Sequence, residues 1–114
     1  MPQISVITNQ PKPTDEASLR KQLSSKLAEW LNKPETYCMV HTQFNAELSF
    51  GGTEEPAATV ELASLGLSDD QPAQLAPLIC DFLFQQLCIE PARIYIRFDS
   101  PARTHWGWNK KTFG

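Results

Sequence analysis

The 114-residue sequence predicts an α+β fold. It is a tandem βαβ repeat, with one four-stranded mixed sheet and two helices on one face. Three observations carry this. The signals strand, helix, strand occur twice, in pseudo-repeats at about 2–50 and 57–100. Each half holds one long apolar stripe at helical spacing. The size suits a single domain spanning residues 1–114.

In the first half, Ile4 and Val6 alternate against Gln3 and Ser5, which predicts a strand over Gln3 to Thr8. Ile7 puts an apolar group on the second face and suits an inner strand. After the turn-rich Asn9 to Asp15, Thr14 or Asp15 can cap a helix. Leu19, Leu23, Leu27, Trp30 and Leu31 then form one stripe. Lys33 is expected in the last helical turn, where a cation opposes the helix dipole, and Pro34 stops the helix. Tyr37 to Phe44 is rich in strand formers.

The second half begins with a strand over Ala57 to Leu65. Asp69-Asp70-Gln71-Pro72 starts a helix whose stripe is Leu75, Leu78, Ile79, Phe82, Leu83 and Leu87. Pro77 falls inside that stripe and is expected to delay or kink the helix start. Arg93 to Phe98 alternates Ile94, Ile96 and Phe98 against Arg93, Tyr95 and Arg97, a last strand. Phe50-Gly51-Gly52 between the halves reads as flexible punctuation. Two helices cover one face only, so Ile7, Val40 and Tyr95 cannot all lie beneath them. The uncovered face predicts association into a closed oligomer.

Composition bounds the function. Ten basic against thirteen acidic residues leave a net charge of -3, without the basic stripe that nucleic acid or an anionic membrane needs. No apolar run approaches the ~20 residues of a membrane span. The opening Met-Pro-Gln-Ile-Ser-Val-Ile-Thr lacks signal-peptide features, so a cytoplasmic location is expected. Cys38, Cys80 and Cys88 form no CxxC pair, and reduced thiols are expected. His41 and His105 are too isolated for a metal site. No phosphate-binding glycine motif or nucleophile elbow occurs.

Pro2 carries chemistry if Met1 is trimmed. Its secondary amine becomes a free base, and burial beside a cation lowers the pKa toward what a general base needs. Otherwise Pro2 is only a stiff start. Lys33 can serve as that cation and bind a carboxylate, or merely cap a helix. Tyr95 and Arg97 share a strand face and gain interest only if another subunit brings a pocket to them. Trp106-Gly107-Trp108 is either a hydrophobic latch or an aromatic pocket wall.

One ordered set of features spans the chain. Met1-Pro2 opens a strand, Lys33-Pro34 closes the first helix, and Val40-His41 lies in the next strand. Phe50-Gly51-Gly52 with Glu55-Pro56, Ser64-Leu65-Gly66, Arg93-Ile94-Tyr95-Ile96, Gly107-Trp108-Asn109 and Thr112-Phe113 follow. In this order and spacing they resemble the macrophage migration inhibitory factor family of the tautomerase superfamily.

The resemblance implies a homotrimer with sheets lining a central channel and active sites between adjacent subunits. It implies a keto–enol tautomerase of phenylpyruvate-like 2-oxo acids, with the Pro2 amine as general base and acid and no cofactor. Lys33 and the Leu65 amide would hold the substrate carboxylate, Tyr95 would come from the neighbouring chain, and Trp106 and Trp108 would wall the aromatic end. Arg97 stands where animal members usually have asparagine and would add a second cation at the pocket mouth. Trp106 replaces a smaller aliphatic and should narrow the pocket. Ala57-Ala58-Thr59-Val60 replaces the family's CxxC, so thiol-oxidoreductase activity is not expected. The alternative is a signalling or binding protein with an incidental pocket. Lys12 and Asn45 stand at the positions of the basic and acidic surface residues through which animal members act as cytokines.

Overall fold

A computed structural model describes residues 1–114. The elements are β1 (Pro2–Thr8), α1 (Glu16–Leu31), β2 (Met39–Gln43), β3 (Ala58–Ser64), α2 (Gln71–Leu87), β4 (Ile94–Asp99), β5 (Gly107–Trp108) and β6 (Lys111–Thr112). Short 3-10 turns at Glu35–Tyr37 and Pro91–Arg93 precede β2 and β4. The main sheet has the order β2-β1-β3-β4. Strands β1 and β2 are parallel, as are β3 and β4, while β1 and β3 meet antiparallel at the centre. The tandem βαβ arrangement and mixed sheet are therefore present, and β1 is an inner strand, as Ile7 suggested.

Both helices cover one face of this sheet. Ile4, Val6, Ala58, Val60 and Leu62 of the inner strands meet Leu19, Leu23, Leu27 and Leu31 of α1 and Leu75, Ile79, Phe82, Leu83 and Leu87 of α2 in one core. The period-2 and period-3.6 patterns each aim their apolar residues at this layer. Asp15 is the α1 cap, accepting from the Ser18 backbone N–H at 3.2 Å.

Five features depart from the sequence reading or complete it. First, α1 ends at Leu31, because Asn32 adopts the left-handed conformation (φ 51°) that asparagine tolerates. The Lys33 N–H then donates to the Ala28 carbonyl at 3.0 Å, which closes a Schellman-type end. Lys33 thus lies beyond the helix rather than in its last turn. Second, Pro77 sits within α2 without delaying its start at Gln71. Pro77 and Ala73 are both exposed, so water can satisfy the carbonyl that Pro77 cannot bond. Third, a point the sequence left open is settled: Val40 packs against the core and leaves Ile7 and Tyr95 on the open face.

Fourth, that open face is more polar than expected. His41, Ser5, Glu61 and Arg97 fall in one row across all four strands. Ser5 Oγ and His41 Nδ1 lie 2.9 Å apart, and Arg97 reaches Glu61 at 3.4 Å. Fifth, Gly51 (φ 61°) and Gly52 (φ 79°) form a tight turn closed by reciprocal backbone bonds between Phe50 and Thr53. Positive φ at both central positions is the turn geometry that selects Gly-Gly.

Candidate functional site

The first residues of β1 lie at the bottom of a cavity of about 210 Å³. Its lining includes Met1, Pro2, Tyr37, Cys38, Trp106 and Trp108. Pro2 is buried because β2 and β3 flank it and its residue parity faces the helices. With Met1 attached, the Pro2 nitrogen is a tertiary amide without a basic lone pair.

The C-terminal tail builds the opposite wall. A 3-10 turn at Arg103–His105 leads into the β5–β6 hairpin. Asn109 (φ 53°) and Lys110 (φ 68°) make its turn. The Phe113 N–H donates to the Trp106 carbonyl at 3.2 Å, and Arg103 Nε donates to the Phe113 carbonyl at 3.1 Å. Trp108 stacks on Phe113 and meets Tyr37 edge-on, with ring centroids 5.7 Å apart in the second pair. The two tryptophans therefore belong to a folded aromatic wall.

The electrostatics at this end favour an uncharged amine. The terminal amine, that of Met1, is held below its ordinary value, first by partial burial and then by the field of Lys33. Arg103 lowers it further, while Cys38 opposes the shift. Burial pushes the Cys38 thiol up, and Glu35 adds to that. Its Sγ points to the Pro34 carbonyl at 3.7 Å.

Pro2, Trp106 and Trp108 thus share one cavity, with the Lys33 charge acting on the same chain end. Leu65 is buried and follows Ser64, the register partner of Pro2. Tyr95 and Arg97 are elsewhere within one chain. Tyr95 pairs with Thr59, and 64 minus 59 is five residues along β3 from the partner of Pro2. That separation is about 17 Å. Tyr95 instead lines a second cavity of about 270 Å³ with Leu48, Phe50, Ala58 and Thr59. Arg97 is exposed and lies against Glu61.

Sequence reasoning passed over Tyr37, Cys38 and Arg103 as site residues. The first two precede a strand by so little that they read as part of it. Arg103 acts through a tail whose only hairpin signal is an asparagine at a left-handed position. No three His, Cys, Asp or Glu side chains converge as a metal site would need, and no helix is long and apolar enough to cross a membrane.

A family model described as macrophage migration inhibitory factor (MIF) matches residues 1–114. The chain belongs to the MIF family. It is 33% identical to macrophage migration inhibitory factor of Meriones unguiculatus over 114 residues, covering 99% of each chain. The corresponding figure for Xenopus tropicalis is 32%, with the same coverage. Among solved structures, the MIF homologue from Prochlorococcus marinus superimposes with a TM-score of 0.94 at 40% identity, covering 98% of this chain and 99% of that one. MIF from Trichinella spiralis gives 0.90 at 30% identity, covering 97% and 99%. The expected family and fold are thereby established, and MIF-family membership brings the tautomerase fold with it.

Proposed function

We propose that this chain is a keto–enol tautomerase of aromatic 2-oxo acids such as phenylpyruvate. The catalytic group is the Pro2 amine, freed by removal of Met1. The observation that carries the proposal is the burial of Pro2 in an aromatic-walled cavity under the field of Lys33. That setting lowers the basicity of an amine at this chain end, the direction in which a general base must move.

The Pro2 nitrogen takes the proton from the carbon next to the keto group. The C–H electron pair becomes the C=C bond, and the carbonyl π pair moves to oxygen. The resulting ammonium delivers its proton to that oxygen, and ketonisation is the reverse. Lys33 and the Leu65 amide hold the carboxylate, a charge-assisted contact that fixes the reacting carbon over the base. Trp106 and Trp108 take the aromatic ring.

Tyr95 is too distant to serve Pro2 of its own chain, so it serves a neighbouring copy in a homotrimer. The exposed face that carries Tyr95 and the row ending in Arg97 supports such an assembly. Arg97 of that neighbouring chain adds a second cation at the mouth.

Phenylpyruvate ketonisation by the processed chain tests the reading, with intact mass verifying loss of Met1. Turnover that collapses in Pro2→Gly supports it. Full turnover after acetylation of the terminus, or with Met1 retained, overturns it.

A further inference from the structure

We propose that Arg93 is a positioning residue, acting through Phe50 to set the ring of Tyr95 for the site of the adjacent subunit. The inference rests on the reading that Tyr95 completes a neighbour's pocket. Residues 44–57 between β2 and β3 contain no strand or helix, so something other than a backbone ladder must fix them.

Arg93 does this from the turn before β4. Its Nε donates to the Pro56 carbonyl at 2.9 Å and its Nη1 to the Phe50 carbonyl at 3.1 Å. Its Nη2 donates to the carbonyls of Thr53 at 3.3 Å and Glu55 at 3.1 Å. A rigid, planar fork suits divergent carbonyls, and the Asn9 amide holds the same loop from the other side of the chain, donating to the carbonyls of Leu48, Glu54 and Glu55. The guanidinium carbon also lies 5.4 Å from the centroid of the Phe50 ring, within cation–π range.

Phe50 in turn meets Tyr95 edge-on, with centroids 4.8 Å apart. Tyr95 is 68% exposed and has no other aromatic neighbour. Its ring position is therefore set mainly by Phe50, and that of Phe50 by Arg93 and the Gly51-Gly52 turn. Misplacing a substrate-facing group by about 1 Å can cost ~100-fold in rate, so this chain of contacts bears on catalysis without touching the substrate.

The chain has two tyrosines, Tyr37 and Tyr95, so fluorotyrosine labelling gives two ¹⁹F resonances, assigned by replacing each tyrosine in turn. In Arg93→Ala and in Phe50→Leu the Tyr95 resonance is expected to move. Arg93→Lys should recover part of the shift, because one ammonium cannot bond all four carbonyls.

With phenylpyruvate, kcat/KM should fall about tenfold to a hundredfold in both variants. The pH at which the rate rises should not change, because the base and Lys33 belong to the untouched cavity of the other chain. Arg93→Lys decides the matter if Arg93→Ala does not fold, and Phe50→Leu tests the Phe50–Tyr95 contact through turnover. An unmoved Tyr95 resonance in a folded variant overturns the proposal, as does a moved resonance with unchanged turnover. A wild-type enzyme inactive in its processed form sinks the Pro2 reading, while the ¹⁹F shift still decides whether Arg93 positions Tyr95.

Discussion

The two βαβ halves end their helices in nearly the same way and put opposite chemistry there. Asn32 (φ 51°) closes α1 and Cys88 (φ 56°) closes α2, both left-handed. Pro34 and Glu90 then repeat one extended conformation, and each half makes a three-residue 3-10 turn before its second strand. Lys33 and Ile89 therefore occupy equivalent positions, one residue past the cap. Ile89 is fully buried in the core, whereas Lys33 is half-buried and charges the end of β1.

The two cavities correspond as well. Pro2, Gln3 and Met39 line one; Ala58, Thr59 and Tyr95 line the other. In the second half the chain continues upstream of Ala58 and shields its backbone. In the first half Met1 stands immediately upstream of β1 and lines the cavity itself. One framework thus builds two corresponding cavities, one of them at the head of β1.

Exchanging these roles tests the comparison most severely. Ile89→Lys places an ammonium in a site closed to water, and we expect a loss of at least ~3 kcal/mol in chemical denaturation. Lys33→Ile should leave the midpoint almost unchanged; equal destabilisation by both would show the positions are not opposites. Replacing the base comes next. Pro2→Gly should cut kcat about 10²- to 10⁴-fold without altering thermal stability comparably.

Lys33→Ala should lower kcat/KM for phenylpyruvate roughly 10- to 100-fold, the value of a lost charge-assisted bond. It also removes a cation that lowers the amine pKa. The base is active above its pKa, so the rise of the rate profile should move to higher pH. A profile that stays in place would remove Lys33 from the electrostatics. Arg97→Ala is the smallest change. The Arg97–Glu61 pair is solvent-exposed, so stability should change by less than ~1 kcal/mol. Any catalytic role of Arg97 would appear in KM for the carboxylate substrate, and unchanged KM and kcat would exclude one.

The framework was legible because each element is patterned against one layer. The 4-4-3 spacing of Leu19, Leu23, Leu27 and Trp30 and the alternation of Ile94 and Ile96 leave little choice of period. What was missed depends on single backbone conformations. The left-handed Asn32 that moves Lys33 off the helix carries no periodic signal, and neither does the Asn109-Lys110 turn that folds the tail. Which of Ile7, Val40 and Tyr95 turns inward was left open, because edge strand β2 is short and both its parities hold residues that could face inward; it is Val40. For the site, sequence pattern alone left Pro2 and Lys33 each open to a bland reading. That the field of Lys33 reaches the chain end ahead of Pro2 is a tertiary fact, and the wall contributed by Tyr37 and Cys38 follows from a turn just before β2.

The position of β1 has a consequence for how such a chain can grow. It is flanked on both sides, and Met1 lines the cavity at its head. An affinity tag or fused domain ahead of residue 1 would have to exit through that opening and plug it. Attachments after Gly114 leave from an exposed hairpin tail instead. Gene fusion and laboratory tagging alike are thereby confined to the carboxyl end if the head is to stay open.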